Sequence, residues 1–159
     1  MQTVIDTFSN VGFAMLFTSK KHLNSVAILH EKVLPFFEEH NVPVLRILTD
    51  NGTEYCGNPL SHKYEIYLNL NDIEHTRSKV RTPRTNGAYE RLNQTILNEF
   101  IKINFRKKIY ESLEDLQKDL DEYMYKYNFE RTNQGKRCKG RTPFQTFKNG
   151  IENFEGSLS

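Results

Sequence analysis

This 159-residue chain has two cysteines, no tryptophan and no long apolar run. Cys56 and Cys138 lie far apart with no second cysteine near either, which argues against a disulfide framework and a cysteine-based zinc site. The five histidines form no zinc-type pair beside a cysteine pair. No apolar run approaches ~18 residues, and the N-terminus has no signal-peptide pattern. These absences predict reduced thiols, no membrane span and a cytoplasmic location.

The positive charge is concentrated in two segments, although the net charge is only +2. Residues 77–108 carry nine basic and two acidic side chains (9 − 2 = +7), and residues 126–148 carry seven basic and one acidic (7 − 1 = +6). Residues 111–122, between them, carry one basic and six acidic side chains (1 − 6 = −5). Concentrated positive charge is typical of a surface that binds a polyanion, and a solvated protein face gives the same pattern.

The first half of the chain alternates between strand and helix patterns. Strands are predicted at residues 2–6 and 12–17, joined by turn residues as an antiparallel hairpin. An apolar stripe at helical spacing predicts a helix over residues 22–40, with a break at Pro35. A strand at 44–49, a short helix at 62–70 and a short strand at 73–77 follow. This order predicts a mixed α/β fold.

The second half is predicted to be mainly helical. Residues 78–86 are basic and end in Asn-Gly, so they are predicted to form a loop before a helix over 88–104. Ser112 and Asp115 resemble a capping box that opens the next helix. We expect residues 1–128 to form the core domain and residues 129–159 a basic tail, anchored on the core by Phe144 and Phe147.

Two acidic residues occupy positions suited to metal-dependent phosphoryl transfer. Asp50 ends the strand at 44–49 before an Asn-Gly turn, and Glu90 is predicted in the first turn of the helix at 88–104. Carboxylates are the ligands that Mg²⁺ prefers, and a two-metal site clamps the attacking and leaving oxygens of a displacement. Two simpler interpretations remain open. In one, Asp50 only begins a plain Asp-Asn-Gly turn, and in the other, Glu90 only compensates the helix dipole.

The motifs around these acids resemble a known family. Residues 48–55 (LTDNGTEY) and 83–91 (PRTNGAYER) resemble the second and third carboxylate motifs of the retroviral-integrase superfamily, and more closely those of bacterial insertion-sequence transposases. Residues 5–9 (IDTFS) resemble its second strand and turn, and residues 141–144 (RTPF) resemble the segment after its last core helix. The resemblance covers essentially the whole chain.

The resemblance implies a ribonuclease-H-like fold, in which helices flank a mixed sheet. It also implies an Asp-Asp-Glu triad that binds two Mg²⁺ or Mn²⁺ ions, cuts transposon ends and joins the freed 3′-hydroxyls to target DNA. Asp50 matches the second acid and Glu90 the third, both as metal ligands. DNA, as transposon ends and as target, is the implied partner, with a possible homo-oligomer and no membrane or small-molecule substrate.

The chain departs from the family at its first acid. That acid lies on a central strand that precedes the strand beginning here at Gln2, so we expect the fold to lack this strand. Met1 is then interpreted as an internal methionine of a truncated frame, and weak or no activity is expected from the chain alone. Asp6 matches a turn position rather than the missing acid, Glu54 is interpreted as a residue outside the metal site, and His75 as a strand residue.

Basic residues near the acids are predicted to contact DNA phosphates, which position DNA without reading its sequence. Arg91, beside Glu90, could instead orient that carboxylate. The predicted DNA-binding residues are Arg77, Lys79, Arg81, Arg84, Arg91, Lys136, Arg137 and Lys139, with Arg141 as a further candidate.

The sequence thus predicts the catalytic core of a transposase, with Asp50 and Glu90 as its metal ligands. Two other functions stay open. One is a non-enzymatic relic or accessory module that binds DNA or a full-length transposase through its basic surface. The other is a structure-selective nuclease of the same fold, which would share the acids without joining strands.

Overall fold

The computed structural model describes residues 1–21, 23–50, 61–78 and 83–158, without the side chains of residues 61, 62 and 83–85. The chain divides into two compact units. Unit 1 comprises Met1, Thr3–Leu16 and Ala88–Ser159, and unit 2 comprises Gln2 and Phe17–Gly87.

Unit 1 begins with the predicted hairpin. Strands β1 (Gln2–Ile5) and β2 (Gly12–Met15) pair in a two-stranded sheet. The Asp6 N–H donates to the Val11 carbonyl at 2.8 Å, and so short a connection requires antiparallel strands. The Asp6 carboxylate accepts from the Ser9 N–H at 3.1 Å and the Ser9 hydroxyl at 2.5 Å. Asp6 therefore lies in the turn, as predicted.

The helix that carries Glu90 begins earlier than predicted. It consists of α4 (Pro83–Ile96), a π-helical turn (Leu97–Ile101) and α5 (Lys102–Lys107). The prediction of a loop through residue 86 was wrong, because Pro83 is preorganised for the first position of a helix. Glu90 is consequently the eighth residue of α4 and lies in its second turn, not its first. A role as a partner of the helix dipole, which acts over the first turn, is therefore disfavoured.

The core of unit 1 lies between α4, the following π-helical turn, β2 and α6 (Leu113–Phe129). Helix α6 starts as predicted, since the Ser112 hydroxyl accepts from the Asp115 N–H at 3.1 Å. A side chain at Gly12 would stand 3.0 Å from Leu92 Cδ1, so glycine allows α4 to approach β2 closely. The buried cluster consists of Ala14, Leu92, Ile96, Phe100, Leu120, Met124 and Tyr127.

The C-terminal segment contains a helix that was not predicted. Helix α7 (Pro143–Leu158) opens with a reciprocal capping box. The Thr142 hydroxyl accepts from the Gln145 N–H at 3.1 Å, and the Gln145 side chain accepts from the Thr142 N–H at 2.9 Å. Phe147 is buried, and the Phe144 ring lies 4.5 Å from the Phe129 ring. Phe129 itself belongs to the segment from residue 129 onwards, so the anchoring of this segment on the core by the two phenylalanines stays a prediction.

Unit 2 contains the second strand pair and a helix interrupted by a π-helical turn. Helix α1 (Leu23–Ile28), the π-helical turn (Leu29–Val33) and α2 (Leu34–Glu39) follow one another where one helix interrupted at Pro35 was predicted. The π-helical turn lies directly before Pro35, whose ring removes an ordinary helical hydrogen bond. Its closing bond runs from the Leu34 N–H to the Leu29 carbonyl, five residues back.

Strands β3 (Arg46–Thr49) and β4 (Glu74–Arg77) pair in parallel, with Thr49 opposite Arg77, and helix α3 (Ser61–Leu70) connects to β4. A parallel pair requires such a crossover. The hairpin, the parallel pair and the helices confirm the predicted mixed α/β class. In the described residues, no helix combines the length and apolar character needed to cross a membrane.

Candidate active site and nucleic-acid interface

Asp50 follows the last residue of β3 and is exposed, as predicted. Its neighbour Thr49 is buried and is held by the backbone, because the Ser78 N–H donates to the Thr49 carbonyl at 2.8 Å. Pairing with β4 therefore continues to the residue before Asp50. The predicted Asn51–Gly52 turn and Glu54 lie outside the described residues.

A chain of polar side chains fixes Thr49 from a second direction. The Thr49 hydroxyl lies 2.7 Å from His75 Nε2, and His75 Nδ1 is hydrogen-bonded to the Glu65 carboxylate. A carboxylate only accepts, so Nδ1 carries the proton, and in the neutral ring Nε2 accepts from Thr49. The His75 side chain is 5% exposed, and its ring meets Tyr64 edge-on at 5.4 Å. His75 lies on β4 as predicted, but its link to the residue beside Asp50 was missed.

Glu90 is exposed on the side of α4 away from the core of unit 1. Leu92, two residues later, is 1% exposed in that core, and two residues turn a helix by about 200°. The Thr3 hydroxyl donates to the Asn93 side-chain oxygen at 2.8 Å and ties α4 to β1. The position of Glu90 is therefore set by a buried face and by a polar contact one turn later.

Both acids are exposed residues, but they belong to different units. Magnesium is commonly held by one or two carboxylates, with water and phosphate oxygens completing its shell. Asp50 and Glu90 fit that donor requirement in type and number. Among the residues that the structure describes, no three His, Cys, Asp or Glu side chains gather into a metal site.

The basic residues that were predicted to contact DNA near Glu90 differ in their surroundings. Arg77 forms an ion pair with Glu65 at 3.3 Å, so part of its charge is compensated within unit 2. Arg91 is exposed beside Glu90. Arg84 is the second residue of α4, and its side chain, like Lys79 and Arg81, lies outside the described part of the chain.

The basic residues after α6 come together on one loop, residues 133–141, which is closed by a bridge between Asn133 and Arg141. The Arg141 guanidinium donates to the carbonyls of Cys138 at 2.9 Å and Arg137 at 3.2 Å, so it holds the loop. Lys136, Arg137 and Lys139 are exposed, and no ion pair involves them within the described ranges. Together with Arg141 they line one depression of about 270 Å³.

A partly exposed ion pair that the sequence did not indicate links the end of α6 to the π-helical turn after α4. Arg131 contacts both oxygens of Glu99, at 2.7 and 2.9 Å, and the Tyr123 hydroxyl donates to Glu99 at 3.0 Å. The Arg131 hydrogen bonds, assisted by the one from Tyr123, lower the pKa of Glu99 against the opposing effect of burial. Burial raises the pKa of Tyr127, whose ring lies below Arg131, to about 12. Residues so distant in sequence carry no local pattern that predicts this contact.

Comparison with known proteins agrees with this architecture. The model of the integrase core domain family matches residues 71–143. ORF3 of Spiroplasma virus SpV1-C74, which is named as an integrase, is 28% identical over 163 residues, covering 98% of this chain and 41% of that protein. The chain thus spans less than half the length of this relative.

Two solved structures share the fold. The catalytic core domain of BIV integrase superimposes with a TM-score of 0.68 at 16% identity, over 96% of this chain and 88% of that one. A chain of the simian T-cell lymphotropic virus intasome in complex with the PP2A regulatory subunit B56 gamma gives a TM-score of 0.61 at 20% identity, over 89% of this chain and 45% of that one. The predicted integrase resemblance is confirmed: this chain is similar to the integrase core domain family over residues 71–143, and it has the ribonuclease-H-like fold of integrase catalytic cores.

Proposed function

We propose that this chain acts in DNA integration or transposition, as a catalytic core whose metal ligands are Asp50 and Glu90. The observation that carries the proposal is the placement of Asp50. An exposed acid directly follows a strand whose last residue is held by both the neighbouring strand and a buried histidine. Such rigid support is what a metal ligand needs.

The metal chemistry fits Mg²⁺ or Mn²⁺ held by carboxylates from two elements. When bound, a pair of such ions would stabilise the attacking and leaving oxygens of a phosphoryl transfer. Asp50 and Glu90 would supply oxygen ligands, and the His75–Thr49 contact would keep the Asp50 backbone in place. The motifs of this chain match only the second and third acids of the family triad, so we expect this chain alone to join DNA strands weakly or not at all.

DNA would be held by phosphate contacts. The side chains that we propose for this role are Arg77, Lys79, Arg81, Arg84, Arg91, Lys136, Arg137 and Lys139. We also propose that a homo-oligomer is the assembly that acts on transposon ends and target. Loss of phosphate contacts weakens binding to all sequences alike and lowers its salt dependence.

Metal binding is the direct test, because it needs no activity. Isothermal titration calorimetry measures the affinity of the chain for Mn²⁺. We expect this affinity to fall at least about 10-fold in Asp50→Asn and in Glu90→Gln, because even residues that only hydrogen-bond to metal ligands contribute about that much to metal affinity. Asp72→Asn, an exposed acid of unit 2 at positive φ (55°), is the matched control. Equal Mn²⁺ affinity in all four proteins would contradict the ligand assignment.

Strand joining tests the reaction itself. Incubation of a labelled transposon-end duplex with the chain and Mg²⁺ is expected to yield little or no joined product. Product that disappears in Asp50→Asn would refute the expected inactivity and support the ligand role. Product that persists in Asp50→Asn would refute that role.

A second candidate function is a non-enzymatic module that binds DNA. It is favoured by the loop at residues 133–141, where three exposed cations lie without a carboxylate partner among the described residues. DNA binding that is unaffected by metal and by both acid substitutions, with no Mn²⁺ affinity, would support this function over the first.

A further inference from the structure

We propose that Phe8, together with the basic loop at residues 133–141, forms a platform that stacks an unpaired base of single-stranded nucleic acid. The platform extends the DNA contacts proposed for this loop and is independent of the acids Asp50 and Glu90. It lies wholly within unit 1, on the turn between β1 and β2, the loop and helix α7.

The Phe8 ring rests on helix α7 at a glycine. A Cβ at Gly150 would stand 2.3 Å from Phe8 Cε1 and 3.0 Å from Cζ, so any other residue there would displace the ring. Glycine within a helix costs about 1 kcal/mol relative to alanine. The ring is nevertheless 51% exposed, so its contact with Gly150 positions the ring without burying it. Helix α7 thus provides space for a ring that stays open to a ligand.

The turn that carries Phe8 is fixed at both ends. The Asp6 carboxylate accepts from the N–H groups of Phe8 and Ser9, at 3.4 and 3.1 Å. On the other side, the buried Cys138 thiol donates to the Ser9 carbonyl at 3.3 Å. Cys138 belongs to the basic loop, so the same contacts hold ring and cations together. Little conformational entropy is then lost when a ligand binds.

Four cations line the same depression as the ring. Lys136, Arg137, Lys139 and Arg141 line the same depression as Phe8, and the first three are exposed. Lys139 adopts positive φ (50°) ahead of Gly140 (85°), in a turn closed by the Gly140 N–H and the Asn133 carbonyl at 2.9 Å. A polyanion is the ligand that this charge favours.

An exposed ring among cations selects a single strand over a duplex. In a duplex the base faces are stacked on each other, and only their edges reach the grooves. A single strand exposes base faces, which stack on aromatic rings while cations follow the phosphates. The volume of about 270 Å³ is just below the usual range of ligand pockets, which leaves room for a single base. Asn149 and Asn153, one turn apart on α7, add amide groups beside the ring.

Equilibrium binding in EDTA tests the platform without involving the metal site. A fluorescently labelled mixed-sequence 15-mer is titrated with the full chain, as a single strand and as a duplex. Phe8→Ala is expected to weaken single-strand binding about 10-fold, the usual contribution of one stacked base, and to leave duplex binding within about 2-fold. Phe8→Tyr retains the ring and is expected to bind like the unchanged protein.

Two further variants control for folding and for nonspecific loss of an aromatic. Gly150→Ala is expected to reproduce the Phe8→Ala loss, because its Cβ would displace the ring. Phe154→Ala removes a 65% exposed ring from the same helix, outside the depression, and is expected to change nothing. Equal binding by Phe8→Ala and Phe154→Ala, with unfolding midpoints unchanged, would overturn the proposal. So would equal losses for single strand and duplex.

The cations are tested by the salt dependence. Replacing Lys136, Arg137 and Lys139 together by alanine is expected to reduce the slope of log affinity against log salt by about 2 for the single strand, at about 0.7 per phosphate contact. An unchanged slope would show that they contact no phosphate and would overturn the platform. Failure of Asp50→Asn to affect Mn²⁺ binding, with these losses intact, would refute the metal site and leave the platform standing.

Discussion

The two candidate acids are supported in opposite ways. In unit 2, Asp50 follows a strand end held by a polar chain from Thr49 through His75 to Glu65. In unit 1, Glu90 stands on a helix held by apolar packing of Leu92, Ile96 and Phe100. A chain of polar side chains is stable only when each of its hydrogen bonds is made, whereas an apolar face is stable when its side chains fill the core closely. The two supports should therefore fail under different substitutions.

The apolar support is expected to give the largest effect. Leu92→Ala removes a side chain that is 1% exposed, and we expect the free energy of unfolding to fall by about 2–5 kcal/mol, as for other buried leucines. Denaturant titration measures it. Leu97→Ala, at a 40% exposed position of the next turn, is the matched control, with a much smaller loss.

Gly12→Ala sharpens this prediction. Its Cβ would stand 3.0 Å from Leu92 Cδ1 and 3.2 Å from Met124 Cε. We expect the double variant with Leu92→Ala to lose less stability than the sum of the two single variants, because the new methyl enters the space that leucine leaves. Additive losses would show that the two positions are not coupled through this contact.

The polar support is expected to give an intermediate effect. His75→Ala leaves the Thr49 hydroxyl without its partner and the Glu65 carboxylate with Arg77 alone, and we expect a loss of about 1–3 kcal/mol in the free energy of unfolding. If the metal site is as proposed, Mn²⁺ affinity falls as well. His30→Ala, an exposed histidine of the same unit, is the control. Unchanged stability in His75→Ala would contradict a supporting role for this contact.

The Glu99–Arg131 pair is expected to give a smaller, pH-dependent effect. We expect Glu99→Gln to cost about 1 kcal/mol at neutral pH, because both side chains are partly exposed, at 40% and 37%. The pKa of Glu99 is lowered by folding, so its contribution is complete above the ordinary carboxyl pKa of about 4.3 and is lost as the pH falls through the lower folded value. Unfolding midpoints from pH 7 down to pH 2 should converge for the two proteins.

The smallest effect is expected from the Arg46–Glu74 pair on the parallel strands of unit 2. These side chains are 62% and 60% exposed and meet at 2.8 Å. Exposed pairs contribute little, so Arg46→Gln should change the free energy of unfolding by less than about 0.5 kcal/mol. A loss as large as that of His75→Ala would show that the strand pair depends on charge rather than on the buried histidine.

Local patterns predicted most of the elements. The hairpin, the broken helix before Pro35 and the Ser112 cap each depend on residues close in sequence. Two predictions of helices were wrong although the residues that decide them are close in sequence. Pro83 opens α4 earlier than predicted, and the Thr142–Gln145 capping box marked a helix that was not predicted. Helix propensity alone did not indicate α7, which contains two glycines.

The sequence by itself determined the order of the elements up to α6, the family resemblance and the place of Asp50 at the end of β3, because hydrophobic period, caps and motifs depend on neighbouring residues. Only the tertiary structure decided that His75 supports the residue beside Asp50, that Arg131 neutralises Glu99, and that Phe8 rests on Gly150 among the cations of the loop. Each of these contacts joins residues from separate elements. Their partners are chosen by packing in three dimensions, which no local pattern records.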